Sequence, residues 1–159
     1  MYRKLLVLFL LLSSGYAWAD LPGVQRWDVQ QDFNRTYREV YRALEDNKFF
    51  VIFEANIGRN LRGYAARWGK EYNQSGLDDI RSLTFCNVWF TNLVSNQDPE
   101  MLSICPMHIT MYQKGPTTSI LFTRPTFIGQ GSPAMPLLKQ IETEVDKAVE
   151  AGINAASMR

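Results

Sequence analysis

Hydrophobic positions recur along the chain with two periods, and each change of period marks an element. Residues 24–30 read as a short strand. Asp32 then stands where an N-cap belongs, ahead of Phe33, Tyr37, Val40, Tyr41 and Leu44 at i, i+4, i+7, i+8 and i+11, which predicts an amphipathic helix ending near Asn47. Residues 49–55 (FFVIFEA) are aromatic, β-branched and apolar on both faces of a period-2 reading, which suits a central strand. Residues 58–70 carry a helical pattern. Leu61, Tyr64, Ala65 and Trp68 share one side of it and Arg59, Arg62, Arg67 and Lys70 the other, with Gly63 and Gly69 weakening it.

Residues 80–90 (IRSLTFCNVWF) alternate as a strand, with Leu83, Phe85, Asn87 and Trp89 on one face and Thr84, Cys86, Val88 and Phe90 on the other. After a linker holding Asp98-Pro99, a further strand covers about 107–114, and Gly115-Pro116 turns it into 117–124 as a hairpin. The longest loop-like stretch, 128–136, precedes the clearest helix. There Leu137, Leu138, Ile141, Val145, Ala148, Val149 and Gly152 draw one stripe from a start near Pro136. Strands joined by a tight turn are antiparallel. The order therefore predicts an α+β sandwich in which an antiparallel sheet carries helices on one face.

Residues 1–19 stand apart from this pattern. Arg3 and Lys4 form a basic start, residues 5–12 (LLVLFLLL) an unbroken apolar run, and Ala17-Trp18-Ala19 a small-x-small site, the three parts of a secretory signal peptide. Cleavage after Ala19 leaves a single domain over residues 20–159, exported, and periplasmic if the source is Gram-negative or otherwise secreted. An apolar run of eight residues is too short to span a bilayer, which takes about 20, so no integral membrane segment is expected. Removing Arg3 and Lys4 turns the formal charge from +1 to −1, and a balance of that sign gives no reason to expect a nucleic-acid partner.

Two cysteines and one histidine are the whole inventory of soft ligands. A blue-copper centre needs two His and a Cys. A closed zinc site would have to combine Cys86, Cys105, His108 and a borrowed carboxylate, against the usual paired spacings, so no metal and no cofactor is expected. Cys105-Pro106-Met107-His108 lacks the second Cys of a redox pair. In an oxidising compartment the two cysteines, 19 positions apart, are expected to pair as a disulfide, which would stabilise the fold by roughly 3 kcal/mol in the chain-entropy model. Two inert buried thiols, or a functional thiol pair, are the alternatives.

His108 shares a strand face with Thr110 and Tyr112 and could act as a base, but no G-x-S-x-G elbow accompanies it. Gly129-Gln130-Gly131 lacks the third Gly and the strand-to-helix context of a phosphate cradle. The cations Arg59, Arg62, Arg67 and Lys70 with Tyr64 and Trp68 could make a weak membrane-surface contact; the simpler expectation packs the aromatics on the sheet and leaves the cations in water. Asn34-Arg35-Thr36 and Asn73-Gln74-Ser75 are glycosylation sequons that matter only in a eukaryotic host.

Phe85-Cys86-Asn87, then Asp98-Pro99, then Cys105-Pro106 leading into a strand that ends at Tyr112 resembles the family called domain of unknown function 302, as does the phrase Asn47-Lys48-Phe49-Phe50-Val51-Ile52 after a helix. Many members place a Cys after the Pro of the third motif, whereas here Cys105 precedes Pro106 and Met107 follows it. The resemblance implies a fold like that of the TATA-box-binding protein (strand, helix, four antiparallel strands, helix) and carries no catalytic residues to transfer. With aromatic enrichment and no complete catalytic set, the sequence reads as a non-catalytic module. It is expected to bind a small apolar ligand or a protein partner through the sheet and the surface near Trp89, Phe90, His108 and Tyr112, with its oligomeric state left open, a homodimer included. The rival reading is a thiol- or metal-dependent redox protein or enzyme using Cys86, Cys105 and His108.

Overall fold

The structure, a computed structural model, describes residues 21–158; the leader read over 1–19 lies outside the described residues. Strand β1 (Val24–Val29) is followed by helix α1 (Phe33–Asp46), strand β2 (Phe50–Ala55), short helices α2 (Ile57–Arg62) and α3 (Ala65–Trp68), and strand β3 (Asp79–Cys86). Helix α4 (Val88–Gln97), strands β4 (Met107–Lys114) and β5 (Thr117–Thr123), and helices α5 (Pro125–Ile128) and α6 (Met135–Ser157) complete the chain. The five strands form one antiparallel sheet in the order β1-β5-β4-β3-β2. The expected α+β class, and the sequence of strand, helix, four strands and final helix, are both present.

The start of α1 has a local cause. Asp32 accepts the Arg35 N–H at 2.8 Å and so caps α1, satisfying one of the donors that a helix leaves unpaired at its N-terminus. One sheet face then meets α1 and α6. Leu83, Phe85, Ile109, Met111, Ile120 and Phe122 from the strands interlock with Phe33, Val40 and Leu44 from α1 and Leu138, Val145 and Val149 from α6, all buried. The two helices approach closely at Gly152, where an added Cβ would lie 2.6 Å from the Val40 Cα.

Four expectations are corrected. The strand expected over 80–90 ends at Cys86, because Asn87 accepts the Phe90 N–H at 3.1 Å and turns the chain into α4. The linker expected around Asp98-Pro99 is accordingly α4 and a short 3-10 turn, Pro99–Ile104. The strand expected at the centre of the sheet is instead an edge: β2 pairs only with β3, and its bulge between Val51 and Phe53 leaves Ile52 and Phe53 61% and 62% exposed. Finally, the helix over 58–70 is broken into α2, α3 and a 3-10 turn, Gly69–Glu71, at the glycines that weakened its pattern.

Candidate functional site

Among the described residues no helix is laid across β1, β5 and β4 on the sheet face turned away from α1 and α6, and cross-strand register decides what that face presents. Asp28, Ser119 and Tyr112 lie side by side across β1, β5 and β4, with Arg26 beside Leu121 in the next row. Paired residues in antiparallel strands point to the same face. These rows floor a groove of about 710 Å³, walled by Leu21, Val24, Ser75, Leu77, Lys114 and Thr117, a size in the range of small-molecule sites.

The groove is apolar along one flank and hydrogen-bonded along the other. The Arg26 Nε donates to both Asp28 oxygens at 2.9 and 3.0 Å, and the Ser119 hydroxyl donates to Asp28 Oδ1 at 2.6 Å. Asp28 is therefore neutralised and held. The Arg26 guanidinium also lies 6.0 Å from the Tyr112 ring centroid, at the outer limit of a cation–π contact. Lys114 stands exposed at the rim, with no ion pair among the described residues.

The four residues expected to form a binding surface do not converge. Tyr112 lines the groove. His108 is on the same face and strand but four residues away, about 13 Å of extended chain, opposite Thr84, and is exposed. Phe90 is buried on the opposite side of the sheet, its ring stacked on Phe49 at 6.2 Å, and Trp89 beside it points outward, 66% exposed. Alternation assigned Trp89 and Phe90 to strand faces, and the helix start at Asn87 removed both from the sheet.

Cys86 and Cys105 meet at the end of β3. Their sulfurs are 3.2 Å apart as free thiols, and the Thr91 hydroxyl lies 3.1 Å from Cys86 Sγ and 3.3 Å from Cys105 Sγ. The Thr91 hydroxyl also donates to the Asn87 carbonyl at 2.9 Å, which fixes it between the two sulfurs. Burial pushes the Cys105 thiol up, against a lowering by Thr91, and the adjoining Cys86 adds to the rise. Thiolate, the form that attacks substrates and binds metals, is thereby disfavoured at Cys105. The crevice beside it, lined by Phe90, Val94 and Met107 among others, measures about 20 Å³, room for a water and no more. Among the described residues no three His, Cys, Asp or Glu side chains cluster so as to hold a metal ion.

Sequence reasoning missed one buried polar cluster. Glu142 on α6 accepts from Arg124 Nε at 2.7 Å and from the Thr126 N–H at 3.3 Å, tying α6 to the end of β5 and to α5. One turn further, Asp146 Oδ1 is buried without a hydrogen-bond partner, and burial, with Glu142 and Glu150 nearby and Arg124 opposing, pushes its carboxyl up to about 6. Only the lack of an apolar residue at 142, inside an otherwise clean stripe, hinted at it.

A search of curated proteins finds no match. The fold is similar to the crystal structure of an uncharacterized conserved DUF302 protein from Bacillus stearothermophilus, at a TM-score of 0.68 and 20% identity, over 82% of this chain and 98% of that one. The model of the family described as domain of unknown function DUF302 matches residues 25–153, which contain every strand but the first residue of β1, all six helices except the last turn of α6, and nearly the whole groove. On that match the chain belongs to the DUF302 family.

Proposed function

We propose that the protein is an exported, non-catalytic module that holds a small, largely apolar ligand in the groove on the open face of its sheet. The groove carries this reading. Leu21, Val24, Leu77 and Leu121 offer an apolar bed, Tyr112 an aromatic surface, and Ser119, Thr117 and Lys114 a few polar points that would orient a head group. The thiol- and metal-dependent rival is weaker, because the raised Cys105 thiol and exposed His108 give it neither an activated nucleophile nor a base in contact with one. Native mass spectrometry of the protein from the exported fraction should find a retained small molecule. Leu121→Trp should abolish retention with an unchanged circular dichroism spectrum, because the larger side chain points into the groove. Retention at the wild-type level in Leu121→Trp would refute this assignment.

A second reading, a protein partner, is favoured by the exposed apolar edge. Phe50, Ile52 and Phe53 on β2 and Val88 and Trp89 at the start of α4 are all open to solvent, and unprotected apolar edges attract other chains. Glu45 takes the Val51 N–H at 2.6 Å, so contact there would run through side chains more than through an added strand. Ile52→Lys should release any such partner while leaving groove binding intact.

A further inference from the structure

The connection between β2 and β3 contradicts the simple expectation for its aromatic residues. Read as one helix, it would bury Tyr64 and Trp68 on the sheet. Because the helix breaks at Gly63, only Leu61 and Ala65 are partly covered. Tyr64 and Trp68 instead stack on each other at 5.1 Å between centroids and stand 49% and 41% exposed. Two large rings left half exposed put apolar surface in water that the fold could have covered.

The charges around them are equally unpartnered. Arg59, Arg62, Arg67 and Lys70 are all exposed, and none forms an ion pair among the described residues, although the chain makes such pairs elsewhere, at Arg26, Arg42, Arg81, Arg124 and Lys147. Glu71 is the one acid in residues 57–71, while the rest of residues 20–159 is net acidic. A basic island on an acidic molecule is thus centred on an exposed aromatic pair.

We propose that residues 57–71 are a contact site for an anionic bilayer surface, with the four cations on lipid phosphates and the Tyr64–Trp68 pair in the interfacial layer. Tyr and Trp favour that layer because their rings are apolar and their polar atoms remain wet. Neither signal alone would anchor the protein, but basic charge and interfacial apolar area together give reversible peripheral binding. A polyanion without bases, such as a sulfated polysaccharide, would use the cations and gain nothing from the rings, and the net acidic remainder of the molecule gives a nucleic acid no wider basic track, so the rings select the lipid. The site is separate from the groove and does not depend on the groove being filled.

The test is co-sedimentation of the purified protein with vesicles of mixed phosphatidylglycerol and phosphatidylcholine, against phosphatidylcholine alone. Any retained leader is common to all variants, so differences between variants report this site. Binding should require the anionic lipid and fall with added salt. Arg67→Gln should lower partitioning about fivefold, as expected for one cation near such a surface. The fourfold Gln variant at positions 59, 62, 67 and 70 should not sediment, and the triple Lys variant at the three arginines, with Lys70 kept, should sediment normally. Tyr64→Ala with Trp68→Ala should weaken binding to vesicles but not to heparin. The proposal is overturned if the wild type does not sediment, if the fourfold Gln variant binds as the wild type does, or if the double aromatic variant keeps full vesicle binding, which would make the site a plain polyanion patch. Circular dichroism of each variant guards against misfolding, and losing exposed side chains should leave it unchanged.

Discussion

Asp146 illustrates what a single residue can do to stability. Its carboxyl titrates near 6 in the folded chain and near 3.9 when unfolded, so between those values the folded state binds more protons. Its contribution is therefore most favourable at acid pH and is lost as pH rises through about 6. Asp146→Asn should flatten that slope and raise the melting temperature at pH 7, as read by urea or thermal unfolding from pH 4 to 8; an unchanged slope would place the titration elsewhere. His108 gives the opposite expectation. It is exposed on the open face and outside the groove, so His108→Gln should leave both the melting temperature and any retained ligand unchanged. His108's polar strand face was legible from period-2 alternation. The Asp146 environment was not, because its burial, and the nearby Glu142 that pairs with Arg124 18 positions away, arise only from the packing of different elements.

At the scale of elements, residues 80–90 carry two competing signals. Val88-Trp89-Phe90 is strand-like by propensity, yet Asn87 caps a helix there, and the buried Phe90 ring against Phe49 and the packing of Val94 settle the competition in favour of the helix. Asn87→Ala should cost about 1–2 kcal/mol, from a lost cap at a buried site, and Asn87→Asp should recover most of it. The α1–α6 contact gives a second test. Ala is the better helix former by up to about 1 kcal/mol, but at Gly152 its methyl would meet the Val40 backbone, which cannot rotate aside, and overpacking of that kind costs about 1–3 kcal/mol. Gly152→Ala should therefore lower the melting temperature. Gly152 was legible as a member of the apolar stripe. Its role as the point of closest approach was not.

At the scale of the molecule, the compartment decides the state of the thiols. If the leader is removed on export, intact mass or N-terminal sequencing should place the start at Asp20. In an oxidising compartment Cys86 and Cys105, already in contact, should then resist alkylation in the denatured, non-reduced protein. Quantitative labelling of both would leave the pair as half-buried thiols beside Thr91. Among the described residues no helix is long and apolar enough to cross a membrane.

Wherever one face of an element had to be apolar, the sequence by itself determined that element: α1, α6, β3 to Cys86 and the β4–β5 hairpin follow from hydrophobic period, an N-cap and a Gly-Pro turn, all encoded within a few neighbouring residues. From these the α+β class followed. Only the tertiary structure decided that β2 lies at an edge, that Asn87 starts a helix, and that the aromatics of residues 57–71 face outward. The same is true of the groove, which depends on β1 pairing with β5 about 90 residues later, so that Asp28 meets Ser119 and Arg26 comes near Tyr112. Local periodicity reports which side of an element is apolar. It carries no information about what, if anything, comes to cover that side.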